Sequence, residues 1–283
     1  MRAIDVDAQH ARCVDVASPT PSDTGLLVEV LYAGVFLDDA TSGNHGCGRV
    51  LTDPLDEVAP GTMVAWSEAP GQIAERVVVD RNRVVAVSDN IAPQVAASML
   101  RPGIAAAYAL FEVLDLVQGE AVVVTEANSP IGLYAIALAR ERDVIVYAIA
   151  DTAEGQRAAR NAGATAVFED EPRSVSAIMA LNDGIGVDAM MVSRSALDNG
   201  FACQVGRNSA RTCYYEDLAS ISVDTNEFRK HAQAVTRMLE ECRWQPSVEV
   251  LDSLEDADSL PSEHRAPRDK SRLLAINVRG RSG

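Results

Sequence analysis

Long hydrophobic runs are missing from this 283-residue chain: no apolar stretch reaches the roughly eighteen residues that a membrane helix needs. A membrane is therefore not an expected partner. Cysteine is scarce and dispersed. Cys13, Cys47, Cys203, Cys213 and Cys242 show no CxxC spacing, which argues against a disulfide framework or a structural zinc and for a reducing, cytoplasmic setting. Positive charge is in deficit, with 25 Lys and Arg against 41 Asp and Glu and a net charge of −16. Such a surface repels phosphate backbones, so nucleic acid is not expected as a partner. No Gly-x-Ser-x-Gly elbow occurs, and no Ser, His and Asp stand out as a triad, which weighs against a hydrolase. Internal repeats and low-complexity tracts are absent. Met1-Arg-Ala-Ile-Asp-Val6 reads as a first strand rather than a signal peptide.

What the chain does have is apolar content, 47% of its residues, ample for a sizeable core in one large or two modest domains. The first hundred residues read as β. Ala3 to Val6, Leu26 to Tyr32, Met63 to Trp66, Ile73 to Val79 and Arg83 to Val87 are short strand-like runs between turn signals. From near Gln94 to Trp244 apolar strands alternate with amphipathic helices. The expected strands are Ala121 to Thr125, Val144 to Ile149, Ala166 to Phe168, Ala189 to Val192 and Ala202 to Val205. Helices are expected over Pro130 to Glu141, Thr152 to Ala162, Ser174 to Leu181 and Phe228 to Cys242. This alternation predicts an α/β chain with a doubly wound parallel sheet. Strand character returns in Ser247 to Leu251 and Ser271 to Val278. The expected division is therefore a β-rich domain from 1–100 and 246–283, and a parallel-sheet domain from 101–245.

The most informative stretch is Ala121-Val-Val-Val-Thr-Glu-Ala-Asn-Ser-Pro-Ile-Gly132. A strand breaks into a short polar turn and a helix begins near Ser129, the form of a nucleotide-binding βαβ unit. The full fingerprint has three glycines, for the tight turn, for approach of the pyrophosphate and for helix–strand packing. Only the packing glycine, Gly132, is present. Asn128, Ser129, Pro130 and Ile131 complete the expected cofactor turn. Pro130 suits a first helical position but removes one amide. A carboxylate at Glu126 opposes a pyrophosphate by about 1–4 kcal/mol at dielectrics of about 80 to about 20, unless it faces solvent or a basic partner. Asp151 and Thr152 follow the second strand. An acidic group there accepts from a ribose 2′-hydroxyl and opposes a 2′-phosphate, or Asp151 serves the start of the next helix.

Several further segments, in order, resemble the medium-chain dehydrogenase/reductase superfamily, nearest its zinc-free quinone oxidoreductase and enoyl reductase branches. They are Leu31-Tyr-Ala-Gly-Val35, Ala59-Pro-Gly-Thr-Met-Val64, Gly71-Gln-Ile-Ala-Glu-Arg-Val77, Pro102 to Leu110, Leu116 to Glu120, Asn128-Ser-Pro-Ile-Gly132, Ala162-Gly-Ala164 and Gly186-Val-Asp188. The resemblance implies a chaperonin-10-like β-barrel domain beside a Rossmann-like domain, an NAD(P)H cofactor, and a homodimer through the sheet edge. The chain is shorter than that family, with residues missing between Asp39 and Asn44 and around Tyr214 to Asn226. The zinc-dependent branch has a Cys where Phe36 stands, and Asn44-His45-Gly46-Cys47 only loosely echoes its Gly-His-Glu, so no metal is expected. Where the family orients nicotinamide and substrate with Asn, Thr and Tyr, this chain has Phe36, Ala105 and Ala107. That exchange leaves a larger, more apolar cavity, suited to a bulky hydrophobic ligand such as a hydrophobic metabolite.

Asp39, His45 and Glu126 are the ionisable candidates for acid–base work. Tyr32 and Tyr108 are alternatives or packing residues. Ser193 at a strand end is placed for a cofactor ribose and Arg194 for an anion, or both are plain loop residues. His231 reads as solvent-facing, and His10 and His264 carry no assigned role. Two functions follow. One is zinc-independent reduction of a conjugated carbonyl, quinone or enoyl substrate by NAD(P)H, with NADH favoured because no Arg or Lys lies between Asp143 and Gln156. The other is a cofactor-independent cyclisation, elimination or isomerisation on the same scaffold. The fold alone does not choose between them.

Overall fold

The computed structural model describes residues 1–6, 11–21, 24–35, 44–69, 73–169, 171–194, 200–218, 223–241, 244–254 and 273–279. Its first half is β, as the alternation of buried and half-buried positions dictates. Strands β1 (Arg2–Val6) and β2 (Ala11–Asp15) form an antiparallel pair. Strands β3 (Gly25–Val35), β4 (His45–Thr52), β5 (Met63–Trp66), β6 (Arg76–Asp80) and β7 (Val84–Ala86) build most of a second sheet. In β3 the residues Leu26, Val28 and Val30 point into one core while Leu27 and Glu29 between them are only half-buried. That is the period of two expected of a sheet with one packed face.

Helix α1 (Pro93–Tyr108) opens with proline at its first turn, where a missing amide costs nothing. Its buried residues mix small ones (Ala96, Ala97, Gly103, Ala105, Ala106 and Ala107) with Val95, Met99, Leu100 and Ile104. A Cβ on Gly103 would lie 2.7 Å from Val235, so the helix is approached at backbone range. It packs against β3, β4 and β5 on the one hand and against later helices on the other. A π-type turn (Ala109–Val113) carries it into the second half.

There β8 (Ala121–Val124), α2 (Pro130–Arg140), β9 (Ile145–Ile149), α3 (Ala153–Ala162), β10 (Ala166–Phe168), α4 (Glu171–Leu181) and β11 (Val187–Val192) alternate. They are followed by α5 (Phe201–Val205), β12 (Gly206–Tyr214), α6 (Tyr215–Leu218) and α7 (Thr225–Glu240). The sheet is fully parallel in the order β10-β9-β8-β11-β12. Val122, Val124, Val146 and Ala148 pack with α1 and α2, while Val123, Tyr147 and Ile149 pack with Ile178 and Phe201 from the other face. Burial on both faces explains the unbroken valine run. Finally β13 (Val248–Leu251) and β14 (Leu273–Asn277) return to the sheet of β3 to β7, β14 pairing antiparallel with β3. The chain is thus α/β, with a doubly wound Rossmann-like sheet set into a β-rich unit. Among the described residues no helix is long and apolar enough to cross a membrane.

Two expectations are corrected. The run Ala202 to Val205 is helix α5, and the strand is the polar segment after it. A short apolar run has no period with which to tell a helix turn from a strand, and here Phe201, Ala202 and Val205 share one buried helical face. His231 is buried, not solvent-facing. It stands in the apolar stripe of α7 with Phe228, Ala232, Val235 and Leu239, and Tyr108 meets its ring edge-on at 6.1 Å. The sequence period places it there once the helix start is fixed by the capping box of Asp224 and Glu227.

Burial lowers the His231 pKa, opposed by the Glu112 carboxylate at 3.6 Å and assisted by Lys230, with Glu227 and Arg142 contributing opposite, smaller fields. A histidine kept neutral in the folded state binds fewer protons than in the unfolded chain, so its stabilising contribution is lost as pH falls below the ordinary histidine value of about 6.5. The urea midpoint should therefore drop between about pH 7.5 and about pH 5.5, and His231→Leu should flatten that dependence.

Candidate functional site

The strand order reverses beside β8, since β9 follows on one side and β11 on the other. The crevice beyond the carboxyl ends of such strands is where open α/β sheets take ligands. Thr125, just past β8, is buried and organises this edge. Its amide donates to the Met191 carbonyl at 3.0 Å, its hydroxyl oxygen accepts from the Ser193 amide at 3.3 Å, and its carbonyl accepts from the Tyr215 hydroxyl. One residue thereby ties the ends of β8, β11 and β12. Neither Thr125 nor Tyr215 was marked by the sequence pattern. A threonine after a strand carries no signature, and its partner lies ninety positions away.

The turn itself follows. Glu126 has φ +49°, in the left-handed region where the first fingerprint glycine is at ease and a side chain is not. The Ala127 amide donates to the Ile149 carbonyl of β9 at 3.0 Å, and the Ser129 amide closes the turn onto the Glu126 carbonyl at 2.8 Å. Ser129 is the N-cap of α2, its hydroxyl accepting from the Gly132 amide at 3.0 Å. Pro130 has no amide to give, and the Leu133 amide is spent on the Ser129 carbonyl at 2.9 Å. Ile131 follows in this first turn, whose leading amides an α-helix leaves without intrahelical partners. A Cβ on Gly132 would sit 2.6 Å from the Glu126 carbonyl oxygen, which is why the packing glycine survives where the other two have gone.

Asn128 turns towards the next strand and donates to Asp151 at 2.9 Å. Gly155 in α3 is packed directly under the Asn128 side chain. Thr152, rather than Asp151, is the N-cap of α3, accepting from the Gly155 amide at 3.1 Å. Asp151 is left exposed at the end of β9 with one carboxylate oxygen committed to Asn128.

Of the acid–base candidates, Asp39 lies outside the described residues, as does Phe36. His45 is buried at the start of β4, opposite Gly34 of β3, and so stands on a different sheet from Glu126. Arg194 is engaged: its guanidinium pairs with Asp217 at 2.6 Å and lies 4.7 Å over the Tyr214 ring, while its amide donates to Glu216. Tyr108 serves packing against His231. Ala105 and Ala107 are enclosed in the core of α1. Among the described residues no three His, Cys, Asp or Glu side chains converge as a metal site. Cys47 is buried, and desolvation pushes its thiol up to about 12, the opposite of what a thiolate ligand needs.

With the geometry in place, three comparisons bear on it. No family model matches the chain. A probable quinone oxidoreductase of Schizosaccharomyces pombe is 28% identical over 206 residues, covering 64% of this chain and 63% of that protein. This chain therefore matches less than two thirds of that relative's length. A mycobacterial quinone oxidoreductase superposes with a TM-score of 0.81 at 22% identity, covering 98% of this chain and 99% of its own. The chain shares the fold of that structure. A mycobacterial structure complexed with NADPH superposes on this chain with a TM-score of 0.77 at 21% identity, again over 98% and 99% of the two chains. The residues here fit a dinucleotide: a helix N-terminus with the Ile131 amide, a glycine where helix and turn touch, and a carboxylate at the end of β9. They fit it with one amide fewer and one negative charge more than the fingerprint provides.

Gly132→Ala should destabilise the fold by about 1–3 kcal/mol, since the added methyl meets backbone and not a movable side chain. Urea denaturation reads this against the modest gain that alanine otherwise brings to a helix interior.

Proposed function

We propose that this protein is a zinc-independent reductase that uses NAD(P)H, with NADH preferred, to reduce a conjugated carbonyl, quinone or enoyl group on a small hydrophobic metabolite. The observation that carries the reading is the β8–turn–α2 unit at the strand-order reversal, with Asp151 at the end of β9. The mycobacterial NADPH complex, similar in fold, supports it. In this reading residues 1–100 and 246–283 form the substrate domain and 101–245 the cofactor domain. The scattered cysteines, without CxxC spacing, support a cytoplasmic protein, and the resemblance supports a homodimer.

The cofactor supplies the hydride when bound. The chain's own residues bind and orient. Ile131 and Ser129 present the helix N-terminus to the pyrophosphate, and Thr125, held by Tyr215 and Ser193, fixes the turn. Asp151 accepts from an adenosine 2′-hydroxyl with the oxygen not used by Asn128, and opposes a 2′-phosphate. Asp39 and His45 are the proton donors we assign to the substrate side. The cofactor-free reading draws on Glu126 and Pro130 and on the apolar Phe36, Ala105 and Ala107. The retained helix N-cap at Ser129 and the packing glycine Gly132 weigh against it.

Parallel calorimetric titration with NADH and NADPH tests this. Micromolar NADH binding, with NADPH weaker, is expected. Asp151→Ala should narrow the difference about tenfold, the scale of one lost charge near the surface. Oxidation of NADH by a benzoquinone or an enoyl thioester completes the test. A folded protein that takes up neither nucleotide at millimolar concentration overturns the proposal.

A further inference from the structure

We infer that Asn128 is a positioning residue for cofactor choice: its side-chain amide directs the Asp151 carboxylate at the adenosine ribose. Discrimination between NADH and NADPH then depends on a residue of the phosphate turn. The inference rests on the reductase reading above and deepens it, because Asp151 does not set its own direction.

Asp151 follows directly on Ala150, which is buried and gives its amide to the Phe168 carbonyl at 3.0 Å. The acidic group therefore comes just beyond the sheet, and it is exposed. An aspartate so placed ordinarily turns to cap the helix that follows. Thr152 already holds that position, its hydroxyl accepting from the Gly155 amide at 3.1 Å. What holds Asp151 is Asn128, whose Nδ2 donates to Oδ1 at 2.9 Å. A carboxylate only accepts, so the nitrogen of the Asn128 amide and not its oxygen faces Asp151.

Asn128 is the fixed member of the pair. It is 7% exposed. The Ala127 amide before it donates to the Ile149 carbonyl at 3.0 Å, which ties the turn to β9. Gly155 closes on its other side: a Cβ there would lie 2.5 Å from the Asn128 Cβ and 3.0 Å from the Thr152 hydroxyl oxygen. A wedged, nearly buried donor thus meets an exposed acceptor, and the acceptor is the group that is directed. With Oδ1 held by Asn128, Oδ2 is the oxygen for a ribose 2′-hydroxyl. A carboxylate free to rotate would lose side-chain entropy on binding NADH and would swing away from a 2′-phosphate. Held in place, it favours the hydroxyl and opposes the phosphate.

The test is calorimetric titration of NADH and NADPH into wild type, Asn128→Ala, Asp151→Ala and the double variant. Asn128→Leu is added because it fills the space over Gly155 without a donor. The readout is the ratio of NADPH to NADH dissociation constants within each protein, which an unfolded fraction does not alter. Both Asn128 variants should bind NADH about threefold more weakly, and NADPH no more weakly, than wild type. In the Asp151→Ala background Asn128→Ala should leave the ratio unchanged, since the residue acts through that carboxylate. Equal weakening of both nucleotides, which a merely loosened turn would give, overturns the inference. So does a change in ratio that persists without Asp151, or a wild type that binds the two nucleotides equally; all three leave an NAD(P)H reductase standing. Absence of NADH and NADPH binding in every protein overturns the reductase reading itself, and this inference with it.

Discussion

Three hydrogen bonds converge on Thr125, and the functional edge of the molecule is arranged around them. The threonine is the last buried residue of the central strand's run. Its amide, hydroxyl and carbonyl each engage a different neighbour, so β8, β11 and β12 end in a fixed relation. The turn that follows inherits that fixity. A parallel sheet buried on both faces offers few places where backbone groups reach a ligand, and the carboxyl edge is one of them.

The relation between Glu126 and Gly132 shows how a fingerprint erodes unevenly. Gly132 is confined by backbone atoms from the turn, a steric demand that no side chain meets. Glu126 faces a conformational demand, and left-handed backbone costs a non-glycine residue only about 1–3 kcal/mol. A well-packed core can absorb the second where it cannot absorb the first. The same tolerance recurs at Asp56, Glu68, Asp115, Asp143 and Asp183, all with positive φ. Acidic side chains have taken turn positions at which glycine is at ease.

Much of the architecture was legible in the sequence because period and turn chemistry agreed there. Met63–Trp66 and Ala166–Phe168 are strands with the expected bounds, and α2 and α3 begin at or next to the expected capping residues. The misreadings have local causes. Ala202 to Val205 was too short to show a period. His231 was judged by its polarity although its spacing put it in the apolar stripe. The site was less legible. Its turn lies within one contiguous stretch, but Tyr215 reaches it from a distant segment, and a contact of that kind leaves no spacing to read. Asp151 and Thr152 were placed at the right strand end with their capping roles exchanged.

Helix α1 has a consequence for how the molecule comes apart. Its alanines sit in one continuous core with Cys47, Met63 and Ala65 from the antiparallel sheet and Val122 and Val124 from the parallel one. Alanines packed at close range have little side chain with which to adapt if one side retreats. Melting of either sheet exposes the same helix, so heat should take both in a single calorimetric transition, and neither half of the chain holds a complete interior on its own.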